Sequence, residues 1–224
     1  MQALQRSGVD IIELGMPYSD PLADGPVIQE SSAQALANGM SITTLFHQLK
    51  NFRSQIHIPV VLMGYLNPLL QFGFENFCTQ AAAIGVDGLI IPDIPAFEFE
   101  QQYAPGLKKH ILDFIFMITP ETSEGRIRQL YAAASGFLYA VSSSSVTGSN
   151  KSFGNISTYL QRLAAMSLNN PVLVGFGVRD KASFEAASAH TAGAIVGSAY
   201  INMLKQSQNI AADTEAFFKN IRPA

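Results

Sequence analysis

The chain has 224 residues, of which 48% are hydrophobic and 14% charged, and its formal net charge is −3. Such a chain can bury one large core, and a single α/β domain over residues 1–224 fits it better than two small domains. A weak negative charge without a basic run argues against nucleic acid and anionic membrane surfaces as partners.

Cysteine usage and hydropathy predict the cellular location. The single cysteine, Cys78, cannot form an internal disulfide, which favours a reducing cytosol. No apolar run reaches the roughly 18 residues needed to span a bilayer, and the N-terminus lacks the charged-then-apolar pattern of a secretory signal. The sequence therefore predicts a soluble, cytoplasmic protein.

Short apolar segments recur along the chain with helical patterns between them. They are apolar on both faces, as parallel strands covered by helices should be. The seven predicted strands span residues 11–14, 60–63, 88–91, 114–118, 137–141, 172–175 and 194–197. This alternation predicts a (β/α) barrel, although a doubly wound open sheet would give much the same local pattern.

The stretch IIELGMPYSDPLADGP, residues 11–26, combines the first predicted strand with a loop rich in carboxylates. Glu13 lies within the apolar strand, where a carboxylate is costly to ionise unless it is paired. Asp24 follows on a loop that we expect to be polar, so it should stay charged. Carboxyl groups in unlike environments are suited to divide acid and base roles. On the pattern alone, however, a solvated acidic loop beside a helix-capping glutamate is the better explanation.

This stretch resembles the region around the two catalytic carboxylates of the tryptophan synthase alpha subunit, with the spacing from Glu13 to Asp24 intact. The resemblance covers essentially the whole chain from Gln2 onward, and it implies a (β/α)8 TIM barrel. The family's first strand would lie before the point where this sequence begins, so we expect the native chain to be longer. A barrel without that strand would expose unpaired strand edges.

The resemblance implies the retro-aldol cleavage of indole-3-glycerol phosphate to indole and glyceraldehyde 3-phosphate in tryptophan biosynthesis. It assigns proton transfer to Glu13, stabilisation of charge at the ring nitrogen to Asp24, and a hydroxyl beside this pair to Tyr139. Without the family, Tyr139 would be interpreted as a core residue. The resemblance implies no cofactor in this subunit. Its partner would be a beta subunit that carries pyridoxal phosphate, in an alpha2beta2 heterotetramer, and Pro17 and Asp20 would face that subunit.

Substrate-binding residues are expected at the carboxyl ends of barrel strands. Tyr65 follows the strand at 60–63 and could flank an aromatic substrate, although a strand-end tyrosine more often packs with its hydroxyl satisfied. Glycine lets backbone N–H groups approach a phosphate closely, and the helices that begin near Lys181 and Ser198 would add their positive ends. Three glycine-bearing strand exits together predict a phosphate site: Thr147 and Gly148; Gly175, Phe176 and Gly177; and Gly197 and Ser198.

The polar segment SSSSVTGSNKSFG, residues 142–154, resembles the lid of this family in Thr147 and Gly148. The arginine and glycine usual in the first half of that lid are replaced by Ser143 and Ser145, which puts the tightness of lid closure in doubt. Two other hypotheses therefore stay open. The chain could be a non-catalytic barrel that binds ligand and activates a beta-type partner, or another phosphate-binding isomerase or lyase of the barrel type.

Other barrel chemistries lack their residues in this sequence. No lysine falls within a predicted strand, so a Schiff-base aldolase would have no nucleophile. The four histidines show no metal-ligand spacing, and we predict no metal site. Rossmann and Walker motifs are absent. Asp93, which follows the strand at 88–91, is expected to anchor its loop.

Overall fold

A computed structural model describes residues 1–141, 153–175 and 177–222, and for residues 153–156 it describes the backbone only. The chain divides into two compact units, Met1–Ile115 and Phe116–Ala224. Each unit contains one four-stranded parallel sheet, and helices connect most of the successive strands. The predicted α/β class is therefore confirmed within each unit.

The strands pair in the order β1-β2-β3-β4 in the first unit and β5-β6-β7-β8 in the second. They span Ile12–Gly15 (β1), Val60–Met63 (β2), Gly88–Ile90 (β3), Asp113–Phe114 (β4), Met117–Ile118 (β5), Leu138–Val141 (β6), Val172–Gly175 (β7) and Gly193–Ile195 (β8). Each pairing is parallel, so the carboxyl ends of the strands in one sheet share an edge.

Helices α1–α7 lie in the first unit and α8–α12 in the second. They span Gln2–Arg6 (α1), Pro26–Ala37 (α2), Ile42–Leu49 (α3), Leu66–Phe72 (α4), Phe74–Ile84 (α5), Ala96–Glu98 (α6), Ala104–Lys109 (α7), Glu124–Ala133 (α8), Phe153–Ala165 (α9), Lys181–Ser188 (α10), Ser198–Gln206 (α11) and Ile210–Ile221 (α12). A 3₁₀ turn spans Phe52–Ser54, and a π-helical turn spans Phe99–Tyr103. Within the described residues, no helix is both long and apolar enough to cross a membrane.

Several of these helices begin and end at residues suited to the position. Ser41 accepts a hydrogen bond from the backbone N–H of Thr44 at 3.1 Å and so caps α3. At the start of α10, Asp180 accepts one from the N–H of Ser183 at 2.8 Å. Helix α5 ends at Gly85 with φ +94°, a left-handed conformation that glycine adopts without steric cost.

Strand and helix residues together form the buried core of each unit. Leu62, Leu89 and Phe77 are fully buried in the first unit, and Leu138 and Ile127 are fully buried in the second. Burial of one such side chain contributes roughly 1.5–3 kcal/mol to the stability of its unit. Strands β2, β3 and β6 are largely buried on both faces, as their apolar sequences predicted, whereas every residue of β8 is half-buried.

Arg53 ties together the amino ends of β2 and β3. Its Nε donates to the carbonyl oxygen of Gly85 at 2.7 Å, and one Nη donates to that of Ile58 at 2.8 Å. The other Nη forms an ion pair with Asp87, whose Oδ2 also accepts from the N–H of Val60 at 2.6 Å. This network stabilises the sheet edge opposite the carboxyl ends of the strands.

The prediction of one continuous strand at residues 114–118 is wrong. The segment forms β4 and β5 instead, and these belong to different sheets. Backbone pairing changes partner between them, because the N–H of Ile115 donates to Leu89 at 3.0 Å whereas the carbonyl oxygen of Phe116 accepts from Tyr139 at 3.0 Å. The other predicted strands are present, with ends that differ by at most two residues.

Ile111 combines a strained backbone with an exposed apolar side chain. It follows the end of α7 with φ +55°, and its side chain is 90% exposed. A β-branched residue in the left-handed region is sterically unfavourable, by roughly 1–2 kcal/mol. No burial of the side chain compensates for this strain.

We predict that Ile111→Gly raises the free energy of unfolding by about 0.5–1 kcal/mol, because relief of strain exceeds the added entropy of the unfolded chain. Urea unfolding followed by circular dichroism measures the change. Ile210→Gly is the matched control, since Ile210 is also exposed but begins α12, and there the same substitution should destabilise the protein. Equal destabilisation at both positions would contradict the strain at Ile111.

Candidate active site

Glu13 lies on β1, at the edge of the first sheet, in register with Val61 of β2. The strand forms because its apolar residues Ile12 and Leu14 pack into the core, where Ile12 is fully buried. Glu13 is itself half-buried. Burial, and secondarily the negative charge of Asp24, raise the pKa of Glu13 to about 7. The direction of this shift is the one expected of a carboxyl group that is costly to ionise in an apolar strand.

The loop between β1 and α2 presents Asp24 close to the carboxyl end of β1. It contains two successive tight turns, in which the N–H of Leu22 donates to Asp20 at 2.9 Å and that of Asp24 donates to Pro21 at 3.0 Å. Helix α2 then begins at Pro26, whose missing N–H is no loss at that position. Asp24 is therefore fixed immediately before a helix, and it is half-buried.

Tyr65, at the exit of β2, contacts this loop through its hydroxyl. It donates a hydrogen bond to Oδ2 of Asp24 at 3.0 Å and accepts one from the N–H of Ala23 at 3.0 Å. Of the two roles that the sequence suggests for Tyr65, the structure shows the packed tyrosine with a satisfied hydroxyl, and the sequence did not identify Ala23 and Asp24 as its partners. A buried tyrosine directly after a strand was the available signal, because its hydroxyl needs a partner.

Asp24 is half-buried, whereas the sequence analysis expected a polar loop around it. Burial raises the pKa of Asp24, and the hydrogen bond from Tyr65 acts in the opposite direction. The charge of Asp24 also acts on Glu13, so the two carboxyl groups lie within electrostatic reach of each other. Their environments remain unlike, since the Tyr65 hydroxyl stabilises the charged form of Asp24 specifically.

Tyr139 lies on β6 in the second unit and is buried. It is in register with Leu173 of β7, yet its ring covers Gly175, two residues further toward the carboxyl end. A Cβ atom added at Gly175 would lie 2.3 Å from the Tyr139 hydroxyl oxygen. The hydroxyl is therefore directed to the carboxyl edge of the second sheet, where a catalytic role requires it. Its placement beside Glu13 stays a prediction.

Two predicted phosphate-binding segments lie at strand exits of the second unit. Gly177 follows β7 with φ +78° and is exposed. Gly197 and Ser198 begin α11, where no side chain caps the first N–H groups. Phe176, and the segment with Thr147 and Gly148, lie outside the described residues.

Helix α10, which begins at Lys181, does not offer a free N-terminus to an anion. The carboxylate of Asp180 accepts from the N–H of Ser183, and the Ser183 hydroxyl in turn accepts from the N–H of Asp180 at 3.1 Å. This capping box already supplies a negative charge to the helix end. The capping box weighs against a contribution of α10 to the phosphate site, and α11 is the better candidate.

The residues predicted to face a partner lie on the same loop as Asp24. Pro17 is half-buried, and Asp20 is exposed and accepts a hydrogen bond from the Ser19 hydroxyl at 2.6 Å. Leu22, at the tip of the loop, is 89% exposed. An apolar side chain in this position is suited to a protein contact, and sequence analysis did not single it out.

Asp93, at the exit of β3, accepts two hydrogen bonds from the N–H of Leu66, at 3.0 and 3.1 Å. Its predicted role as a loop anchor is confirmed. In the described part of the chain, no three His, Cys, Asp or Glu side chains gather in a way that could hold a metal ion. The candidate site of the first unit consists of carboxyl groups and a phenol.

Comparison with known proteins identifies the family. The family model described as "Tryptophan synthase alpha chain" matches residues 1–222. The curated tryptophan synthase alpha chain of Flavobacterium psychrophilum is 51% identical over 208 residues, which cover 92% of this chain and 82% of the relative. The chain belongs to the tryptophan synthase alpha chain family.

Two solved structures support this assignment. The tryptophan synthase alpha chain of Legionella pneumophila is 32% identical, with a TM-score of 0.86 over 97% of this chain and 81% of that one. A chain of tryptophan synthase from M. tuberculosis, in an aminoacrylate- and BRD0059-bound form, is 33% identical, with a TM-score of 0.85 over 100% of this chain and 85% of that one.

Membership of the tryptophan synthase alpha chain family confirms three predictions. The fold class is the TIM barrel. The protein is an alpha subunit of tryptophan biosynthesis, and its activity is that of a lyase that cleaves indole-3-glycerol phosphate to indole and glyceraldehyde 3-phosphate. The residues that carry this activity are a separate question, which the geometry of Glu13 and Asp24 addresses.

We predict that Glu13 makes the protein less stable as the pH rises from about 4.5 to about 7. Its pKa is raised in the folded state to about 7, so the folded chain binds more protons than the unfolded chain in this range. Stability is therefore greatest below the unfolded pKa and falls through the folded one, by up to ~3 kcal/mol. Urea unfolding at pH 4.5 and pH 8 should show a smaller decrease for Glu13→Gln.

The matched control for that experiment is Glu100→Gln, the same change at an exposed side chain of the same unit. It should leave the pH dependence of the wild-type protein in place. If Glu13→Gln and Glu100→Gln behave alike, the raised pKa of Glu13 is refuted.

We also predict that Gly175→Ala displaces the Tyr139 ring, because the new methyl group has no room beside it. Overpacking of this kind costs roughly 1–3 kcal/mol of stability. In a double-mutant cycle with Tyr139→Leu, the two changes should cost less together than the sum of each alone. Gly125→Ala is the control, since a Cβ at Gly125 meets no atom within 4 Å. Strict additivity of the first pair would show that the contact is absent.

Proposed function

We propose that Glu13 and Asp24 are the catalytic carboxyl groups of this alpha chain. The observation that supports the proposal most strongly is the placement of a half-buried Glu13 on β1 within electrostatic reach of Asp24, which raises the pKa of Glu13 to about 7. A general acid works best when its pKa lies near the operating pH. Glu13 can then donate a proton and accept one again within the same turnover.

The reaction needs a group that can both donate and accept a proton. Cleavage of the bond between the indole ring and the glycerol side chain requires protonation of the ring carbon that carries the side chain. Glu13 would donate this proton, and the positive charge would develop toward the ring nitrogen. The carboxylate of Glu13 would then take the proton of the neighbouring glycerol hydroxyl, whose electrons form the aldehyde as the C–C bond breaks.

Asp24 would remain ionised and accept a hydrogen bond from the ring N–H. A carboxylate placed where positive charge develops stabilises the transition state more than the ground state. The Tyr65 hydrogen bond supports this role, because it favours the charged form of Asp24. Tyr139 would place its hydroxyl beside the carboxyl pair, and its position at the carboxyl edge of the second sheet supports this.

The phosphate of the substrate would bind at strand exits of the second unit. The uncapped N–H groups at Gly197 and Ser198 support this, since the first turn of a helix favours an anion. We assign Gly177, Phe176, Thr147 and Gly148 to the same site, and the ring of Tyr65 to the wall of the indole pocket. Holding both ends of the substrate would orient the bond that breaks.

We infer further that the chain needs no cofactor, works in the cytoplasm, and pairs with a beta subunit that holds pyridoxal phosphate in an alpha2beta2 assembly. The partner surface would include Pro17 and Asp20, and the exposed Leu22 beside them supports an interface at this loop. We also infer that residues 1–224 belong to one barrel domain, because a single family model matches residues 1–222.

We predict that Glu13→Gln lowers kcat for indole release from indole-3-glycerol phosphate by at least about 100-fold, because an amide cannot transfer the proton. Substrate affinity should stay nearly unchanged, since the amide keeps the shape of the side chain. Steady-state assays of the purified protein, with and without a beta subunit, measure both quantities. Glu100→Gln is the control and should retain full activity.

The same assay separates catalysis from a purely binding role. Wild-type protein that releases no indole under either condition, yet increases the turnover of the beta subunit, would support the alternative of a non-catalytic activator. Indole release by Glu13→Gln at the wild-type rate would refute the assignment of Glu13 while leaving the family reaction intact.

A further inference from the structure

The Tyr65 hydroxyl joins two different parts of the loop that carries Asp24. Tyr65 is only 6% exposed, so its hydroxyl bonds within the protein. The oxygen accepts the N–H of Ala23 and donates to Oδ2 of Asp24, each at 3.0 Å. One atom at the exit of β2 therefore fixes both the backbone and the carboxylate of the neighbouring loop.

Tyr65 is itself held in place from the exit of β3. The next residue, Leu66, donates its N–H to both carboxylate oxygens of Asp93. On the other side, the ring of Tyr65 packs against the ring of Tyr18, with centroids 5.4 Å apart. Because the Asp93 anchor lies outside the loop after β1, Tyr65 can hold that loop in place, and Tyr18, which belongs to the loop, adds a ring contact between the two.

The loop has little apolar packing at its tip. Leu22 is 89% exposed and Ala23 is also exposed, so neither anchors residues 20–24 by burial. The backbone of Asp24 receives one further hydrogen bond, from the side-chain amide of Gln29 to its carbonyl oxygen at 2.8 Å. That contact fixes the start of α2 and leaves the rotation of the Asp24 carboxylate to Tyr65.

We propose that Tyr65 is a positioning residue of the lyase reaction, whose hydroxyl holds Oδ2 of Asp24 so that Oδ1 is presented to the ring N–H of the indole substrate. This inference rests on the proposed catalytic role of Asp24. Tyr65 would then have two roles: its ring forms a wall of the indole pocket, and its hydroxyl positions Asp24. The two roles are separable, because phenylalanine keeps the ring and loses only the hydroxyl.

Electrostatics gives the proposal a specific readout. The ionisable groups that surround Asp24 are Glu13 on β1, Tyr65 after β2 and, through its charge on Tyr65, Asp93 after β3. Among them, the Tyr65 hydroxyl lowers the pKa of Asp24, whereas burial raises it. Loss of the hydroxyl should therefore raise the pKa of Asp24 further.

The test is Tyr65→Phe in the full chain. We expect kcat/KM for indole-3-glycerol phosphate to fall about 10- to 100-fold at pH 7, as for loss of a hydrogen bond to a charged group. The acidic limb of the pH profile of kcat/KM should move to higher pH, because it reports the ionisation of Asp24. Carbon-13 NMR titration of the Asp24 carboxyl should show the same shift without substrate.

Tyr18→Phe is the matched control, since it removes a hydroxyl that contacts the side chain of Asn67 at 3.3 Å and keeps the ring that packs on Tyr65. It should leave the profile unchanged. A uniform loss of activity in Tyr65→Phe with an unmoved acidic limb, or an unchanged NMR titration, overturns the proposal. Wild-type protein that does not cleave the substrate would instead refute the proposed function, and the NMR titration would still decide the role of Tyr65.

Discussion

The free-energy cost of ionising Glu13 is the constraint on which the rest of the site depends. A carboxyl group on a strand, half-buried and close to a second carboxylate, keeps its proton up to a pH of about 7. Because this pKa lies well above that of a free glutamate, ionising Glu13 at neutral pH costs free energy, about 1.4 kcal/mol for each tenfold change in acidity. Such a cost is typical of groups that transfer protons. The charge of Asp24 adds to the cost of ionising Glu13. Asp24 is itself half-buried, and the hydrogen bond from Tyr65 favours its charged form.

The first unit separates stability from chemistry at the two ends of its strands. At the amino ends, Arg53 and Asp87 bind the backbone directly and leave little freedom to the sheet edge. At the carboxyl ends, the contacts of Asp24, Tyr65 and Asp93 join loops that follow different strands. This arrangement is the one expected of a TIM barrel, in which loops at the carboxyl ends carry function. Changes at the carboxyl ends can therefore alter the reaction without removing the core.

Sequence patterns predicted the features that depend on neighbouring residues along the chain. The apolar segments became strands, and Glu13 was recognised because a carboxylate in an apolar run is costly. The division of residues 114–118 between two sheets could not be predicted, since it depends on pairing with β3 and β6. The burial of Asp24 was missed for a similar reason, because Tyr65 lies 41 residues away along the chain. Asp180 could have been recognised as a cap from its spacing to Ser183.

The parallel order of the strands explains why the contacts between loops at the strand exits could not be predicted from short sequence patterns. Neighbouring strand exits are separated by a whole crossover, so residues that touch at the sheet edge are always distant in sequence. A single hydroxyl or carboxylate can then couple two loops, as Tyr65 couples the loop after β1 to the exit of β2 and Asp93 couples β2 to β3. Because each coupling depends on one or two hydrogen bonds, it can be removed by deleting one atom while the sheet remains paired. The chemistry of such a site is therefore set by the atoms that link the loops as much as by the groups that meet the substrate.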